Sequence, residues 1–281
     1  MPPHEPGLLR DSLRFSWQAV RDIPLMRMTV LVPVLVSTLV CIALAELGIP
    51  RGLKGLEEAS VWSPRLFGLL FLPAEFLIYD LVQGAPDPRL TFRRLWLDWR
   101  FLRDLWSWLL AGLAVWLPTA ALSLGLVFAM TGSGDVQKLS AARGIMLALG
   151  ILAIACASLC VFFRFVYLSM AVARREKQPL RAAFRETRGR MWRIGWALFL
   201  PFLAMLGAGV AMELLGGVLL RALGNVVLAP WFLLSAGLTG YLSCLSATVL
   251  AFSRQRLVLA PQAAGLAQDV AAASPEIPPA Q

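Results

Sequence analysis

Five runs of 18 to 25 residues contain no charged side chain: Met28–Ala45, Trp106–Met130, Gly144–Phe163, Ile194–Met212 and Trp231–Ser253. A helix rising 1.5 Å per residue crosses the ~30 Å hydrocarbon core of a bilayer with about 20 apolar residues. A soluble domain has too little interior to hide five such helices. The composition agrees: 58% of the 281 residues are hydrophobic and only 15% charged, against about 45–50% and 25% in ordinary soluble domains. That excludes disorder for most of the chain. Four cysteines exclude a disulfide scaffold.

A sixth segment, Leu66–Leu81, is apolar but holds Pro73, Glu75 and Asp80. It is expected to be the sixth span, with a re-entrant or interfacial segment as the alternative. Some 27 polar or mixed residues precede the first run, so a retained anchor is expected rather than a cleaved signal peptide. The expected fold is an all-α integral membrane protein with six transmembrane helices. It comprises a flexible N-terminus (1–8), a six-helix membrane domain (9–257) and a disordered cytoplasmic tail (258–281). The tail holds Ala271-Ala272-Ala273-Ser274-Pro275 and Pro278-Pro279 and lacks an apolar period.

Six spans divide the basic residues unevenly. Nineteen of the 26 Lys and Arg fall on the side of the termini, six on the other side, and Arg164 within a span. The positive-inside rule then places both termini in the cytoplasm. The net charge of +9 does not indicate nucleic-acid binding, because the basic residues flank spans and no nucleic-acid motif accompanies them.

Three basic segments are amphipathic. Leu13, Trp17 and Val20 share one face, with Arg10, Arg14 and Arg21 elsewhere. Phe92, Leu95, Trp96, Trp99 and Trp106 recur at helical spacing, with Arg93, Arg94, Arg100 and Arg103 outside the stripe. After Pro179, Leu180, Ala183, Phe184, Thr187 and Met191 oppose Arg181, Arg185 and Arg188. Each reads as a cytoplasmic interfacial helix contacting lipid, with anionic headgroups the expected partners. Simple anchoring without lipid specificity is the alternative. Pro33, Pro118 and Pro201 each fall in an outward-going span, and Arg21-Asp22 and Arg103-Asp104 precede two of them. This suggests a threefold repeat of interfacial helix and hairpin.

Catalytic chemistry is sparse. His4 is the only histidine, and Cys41, Cys156, Cys160 and Cys244 all fall in expected spans. Cys156 and Cys160, one turn apart, could meet a soft metal, but core packing is the simpler role. No phosphate-binding loop, nucleophile elbow or dinucleotide fingerprint is present. No enzyme activity, metal or cofactor is expected. The ionisable residues within spans, Glu75, Asp80, Arg164 and Glu213, are the remaining polar signal. Such groups face protein or water and find partners; Glu75 and Glu213 are candidates for Arg164, either as structural pairs or as a polar path. Gly207, Gly209, Gly216, Gly217, Gly237 and Gly240 are expected to allow close helix contact.

The stretch from Arg164 to Arg193 has a distinct cadence. An Arg late in a span is followed by Arg174-Arg175-Glu176-Lys177, then an amphipathic segment ending in Thr187-Arg188-Gly189 before the next span. It resembles YciC-like bacterial inner-membrane proteins and the membrane domain of some glycerophosphodiester phosphodiesterases. The resemblance implies about six spans in the bacterial inner membrane, mostly without an assigned activity; no phosphodiesterase domain is present. The expected function is a non-enzymatic, multi-pass protein of envelope or lipid homeostasis. The alternative is a transporter or permease subunit with a polar site between helices. The candidate site residues are Arg164, Glu75, Glu213, Arg181, Arg185 and Arg188.

Overall fold

A computed structural model describes residues 7–46, 64–84, 91–131 and 141–261. Among these residues the chain is helical throughout, without a strand. Helix α1 (Gly7–Asp22) ends where Pro24, lacking an N–H, opens α2 (Pro24–Glu46). A 3₁₀ segment (Pro64–Phe71) runs into α3 (Leu72–Val82). Then follow α4 (Phe92–Trp96), α5 (Trp99–Thr131), α6 (Ala141–Phe163), α7 (Leu168–Ala173) and α8 (Pro179–Thr187). Finally come α9 (Met191–Leu223) and α10 (Leu228–Arg254), the latter extended by a π-helical turn over Gln255–Leu259.

Five stretches are long and apolar enough to cross a membrane: Pro24–Leu44, Phe92–Thr131, Arg143–Ala173, Met191–Leu219 and Leu228–Leu259. The chain is a polytopic membrane protein, helical throughout its described residues. The segment expected as a sixth span is not among the five, because it is split between an eight-residue 3₁₀ stretch and the 11-residue α3. The external loop around Gly134 and the tail from residue 262 lie outside the described residues.

The helices gather into two compact units, one from Met1–Asp98 with Trp192–Gln281, the other from Trp99–Met191. In the first, α10 is the hub on which α1, α2, the 3₁₀ segment and α3 all pack. Small residues permit the closest approaches. Phe71, fully buried, lies over Gly240, and Trp231 lies over Gly216. Trp231 joins Phe232 and Cys41 in a cluster edged by Ile42, Met212 and Leu219. The polar side chains of α2 are satisfied inside the helix: Thr38 donates to the Val34 carbonyl at 2.7 Å and Thr29 to that of Met26 at 2.8 Å. Such internal pairing is what hydrocarbon demands of a spanning helix.

Helix α1 runs back along the last four turns of α10. Arg256 pairs with Asp11 at 2.6 Å, Phe15 meets Phe252, Ser16 and Thr248 share a buried hydrogen bond of 2.9 Å, and Trp17 meets Tyr241. The face it buries carries Leu8, Ser12, Ser16 and Ala19. Leu13 and Trp17, on the stripe read as contacting lipid, are exposed.

In the second unit α5 and α6 pack side by side. Leu126 covers Gly150, Thr119 and Ser158 hydrogen-bond at 2.5 Å, and Phe162 meets both Trp108 and Trp116. Their outer surface is apolar and open: only 6% of either spanning window is buried within the protein. Cys156 and Cys160 lie on this exposed surface, so the core role expected for them does not hold; Cys41 and Cys244 are buried. The middle basic segment also differs from expectation. It is the five-residue α4 and then the start of α5, continuous with the span. The side of α5 turned inward carries Arg100, Asp104, Ser107, Ala111 and Val115, while Trp99 and Trp106 face outward.

Candidate functional site

Four of the six expected site residues belong to the second unit, on the two connections around α7 and on α8. Past Phe163 the chain leaves the α-helix in a turn over residues 164–167, and Arg164 stands first in it. Its guanidinium carbon lies 4.7 Å above the centre of the Phe184 ring of α8, within cation–π range. Phe165 meets the same ring. The turn is fixed from below, where the fully buried Thr187 hydroxyl donates to the Arg164 carbonyl at 3.0 Å. Gly189 then takes φ +72°, the left-handed conformation in which a Cβ is costly. The Thr187-Arg188-Gly189 cadence thus has a physical role: it ties the end of α8 to the preceding turn and reverses the chain.

Arg181, Arg185 and Arg188 are exposed. Glu186, the only acid on α8, is held by Arg174 at 2.6 Å. Among the described residues no carboxylate lies in ion-pair range of Arg164, Arg181, Arg185 or Arg188. The basic face is therefore not neutralised by any carboxylate among the described residues.

The same unit holds a polar layer that runs from buried to exposed. Arg100 donates to the Ala173 carbonyl at 3.3 Å; Arg103 donates to the Glu176 carbonyl and, at 3.2 Å, to that of Lys177. These two arginines satisfy the carbonyls left open where α7 ends. There Arg175 adopts φ 57°, which a Cβ disfavours. Arg175→Gly is expected to hold or raise the thermal midpoint and Arg175→Val to lower it; a melt of the purified protein in detergent checks the order.

Asp104 is 1% exposed. The Ser169 hydroxyl hydrogen-bonds its carboxyl, and Trp108 Nε1 donates to Ser169 Oγ at 2.9 Å. The other carboxyl oxygen, Oδ1, is buried without a hydrogen-bond partner. Sequence reasoning passed over Asp104 because an Arg-Asp pair ahead of a span reads as juxtamembrane charge. The signal available was the spacing of Arg100, Asp104, Ser107 and Ala111, a small and polar stripe along one helix face.

Glu75 and Glu213 belong to the first unit. Glu75 is half-buried in the first turn of α3, whose neighbours Ala74, Phe76, Leu77 and Ile78 are buried; Glu213 is half-buried on α9. Near α1, the Arg21 guanidinium hydrogen-bonds the exposed Asp22 at 2.7 Å and holds its carboxyl below the usual carboxylate range. Among the described residues no group of three or more His, Cys, Asp and Glu is placed to hold a metal. Comparison with protein-family models, with characterised proteins and with solved structures finds no match in any of the three.

Proposed function

We propose that the chain is a non-enzymatic, multi-pass protein of a bacterial inner membrane that contacts anionic lipid headgroups and serves envelope or lipid homeostasis. The observation that carries this reading is the α8 face: Arg181, Arg185 and Arg188 exposed beside Phe184, with the helix's only acid already bound by Arg174. Helix α1 supports it. One sector packs on α10, the next presents Leu13 and Trp17, and the next carries Arg10, Arg14 and Arg21. An apolar sector beside a basic one is what a helix at the headgroup level requires. Exposed Trp17 suits that level.

Six spans, with both termini cytoplasmic, remain the topology that best fits the basic residues. An eight-residue 3₁₀ stretch at about 2.0 Å per residue followed by 11 α-helical residues at about 1.5 Å reaches roughly 32 Å if collinear, enough to cross the core. The recurrence of Pro33, Pro118 and Pro201 inside unbroken helices supports the threefold repeat, and the resemblance to YciC-like proteins supports the six spans. Cysteines introduced at Gly134 and Gln262 in a cysteine-free background should label from opposite sides of the membrane. Labelling from one side would remove the six-span topology.

Functionally, Arg181→Glu, Arg185→Glu and Arg188→Glu together should cut several-fold the anionic phospholipid that stays with the protein through purification. An unchanged lipid content would count against headgroup contact. A second reading, a transporter or permease subunit, is favoured by one observation, the buried Asp104 with an open carboxyl oxygen. Solute or proton flux in proteoliposomes that disappears in Asp104→Asn would establish it over the first.

A further inference from the structure

Resting on the lipid-contact reading, we infer that the Arg164–Phe184 stack is the centre of a site for one headgroup chemistry, a lipid phosphomonoester. Three observations lead there. The Phe184 ring is 39% exposed and carries the Arg164 guanidinium at 4.7 Å. The exposed Arg181 stands three before Phe184, a position that neighbours it on the surface of α8, and the exposed Arg188 directly follows the end of that helix. No carboxylate among the described residues reaches any of these three arginines. One guanidinium thus lies on the ring and two further exposed arginines flank it in sequence, none of the three met by a carboxylate of the described residues.

The stack also sets orientation. The backbone of Arg164 is pinned to α8 by the Thr187 hydroxyl, so both ends of the residue are fixed, one by a hydrogen bond and one by the ring. A held planar fork of donors favours an oxyanion with several free oxygens over a diffuse negative surface. A phosphodiester headgroup offers one charge and two free oxygens. A phosphomonoester offers three oxygens and a charge near −1.5 to −2 at neutral pH. The second offers one oxygen to each of three guanidiniums and compensates up to two of their charges; the first leaves two of the three without a counter-charge. The membrane supplies the ligand, because the stack directly follows the spanning helix α6 and an acyl-anchored headgroup is concentrated at that boundary.

The full chain, purified in detergent, is titrated with phosphatidic acid, phosphatidylglycerol and phosphatidylethanolamine and read by native mass spectrometry. Wild type should hold phosphatidic acid about tenfold more tightly than phosphatidylglycerol, the size of one charge-assisted contact. Arg164→Lys and Phe184→Leu should each erase that ratio while phosphatidylglycerol binding persists. Phe184→Trp, which keeps a ring under the guanidinium, should retain the ratio. Thermal midpoints confirm that each variant is folded. Equal wild-type affinity for the two anionic lipids, both above phosphatidylethanolamine, would overturn the phosphomonoester site and leave the wider lipid reading standing. No preference over phosphatidylethanolamine would remove both. A ratio surviving in Arg164→Lys and Phe184→Leu would place the selectivity elsewhere. Displacement of phosphatidic acid by equimolar glycerol 3-phosphate would overturn the lipid as the source.

Discussion

Gly216→Ala should lower the thermal midpoint by about 5 °C, whereas Gly217→Ala, one residue on, should leave it unchanged or raise it. A Cβ at Gly216 would lie 2.1 Å from Trp231 Cζ2 and within 2.7 Å of two further ring atoms. Trp231 is 4% exposed and wedged against Phe232 and Cys41, so the ring has nowhere to go. Overpacking of this kind costs about 1–3 kcal/mol, and for a chain of this size each kcal/mol is roughly 2–4 °C. Around Gly217 nothing lies within 4 Å of an added Cβ, and alanine is the better helix former by about 1 kcal/mol. The comparison separates helix propensity from contact within one turn of α9. Gly216→Ala combined with Trp231→Leu should recover part of the loss. A Gly216→Ala midpoint equal to wild type would mean that α9 does not dock on α10 through this ring.

The second large effect is expected from Arg100→Leu with Arg103→Leu. Together these side chains satisfy the carbonyls of Ala173, Glu176 and Lys177. Leaving a buried carbonyl unpaired costs about 1–3 kcal/mol, which applies in full to Ala173, in part to Glu176 and little to the exposed Lys177 bond. The helical turn should then open around Arg175 and Lys177, both exposed basic residues that trypsin cuts. Limited proteolysis of the double variant should show cleavage there at least tenfold faster than in wild type. The single variants should fall between, and Arg103→Lys should be partly protected because an ammonium still reaches one carbonyl. Unchanged protection in the double variant would show that the α7–α8 connection holds without the two arginines.

Spans were legible in the sequence because a bilayer asks for length and apolarity, and both are countable. Burial within the protein was not. On α1 and α5 the large apolar residues were read as contacting lipid, and their spacing did not show which residues meet the neighbouring helix. In the structure Ser12, Ser16 and Ala19 face α10 while Leu13 and Trp17 face outward, and Arg100, Asp104 and Ser107 are buried while Trp99 and Trp106 are exposed. Lipid tails are as apolar as leucine, so burying leucine against protein gains little from solvent; small side chains win the contact through close packing and polar ones through hydrogen bonds. The same logic sorted the glycines. Gly216 and Gly240 lie under rings, while Gly207, Gly217 and Gly237 meet nothing, and only the identity of the facing helix decides which is which. Arg164 was legible as an embedded cation, but its aromatic partner was not. A carboxylate or a lipid phosphate was the expected partner, and Phe184 belonged to an apolar stripe. Asp104 needed the tertiary contact with Ser169 to become visible as a buried group.

The hub position of α10 has a consequence for biosynthesis. Ribosomes deliver the N-terminus first, yet α1, α2 and α3 find their common partner only in the last helix described. Between the end of α3 and the start of α10 lie roughly 150 residues, which take on the order of 10–30 s to translate at about 5–20 residues per second. During that interval the Ser12–Ser16 face of α1 and the surface of α2 around Cys41 have no α10 to cover them. A nascent chain of this protein therefore passes through a stage in which its first helices must be sheltered by lipid or by the insertion machinery. Stop codons placed ahead of Leu228 should yield chains that the cell's quality-control proteases remove.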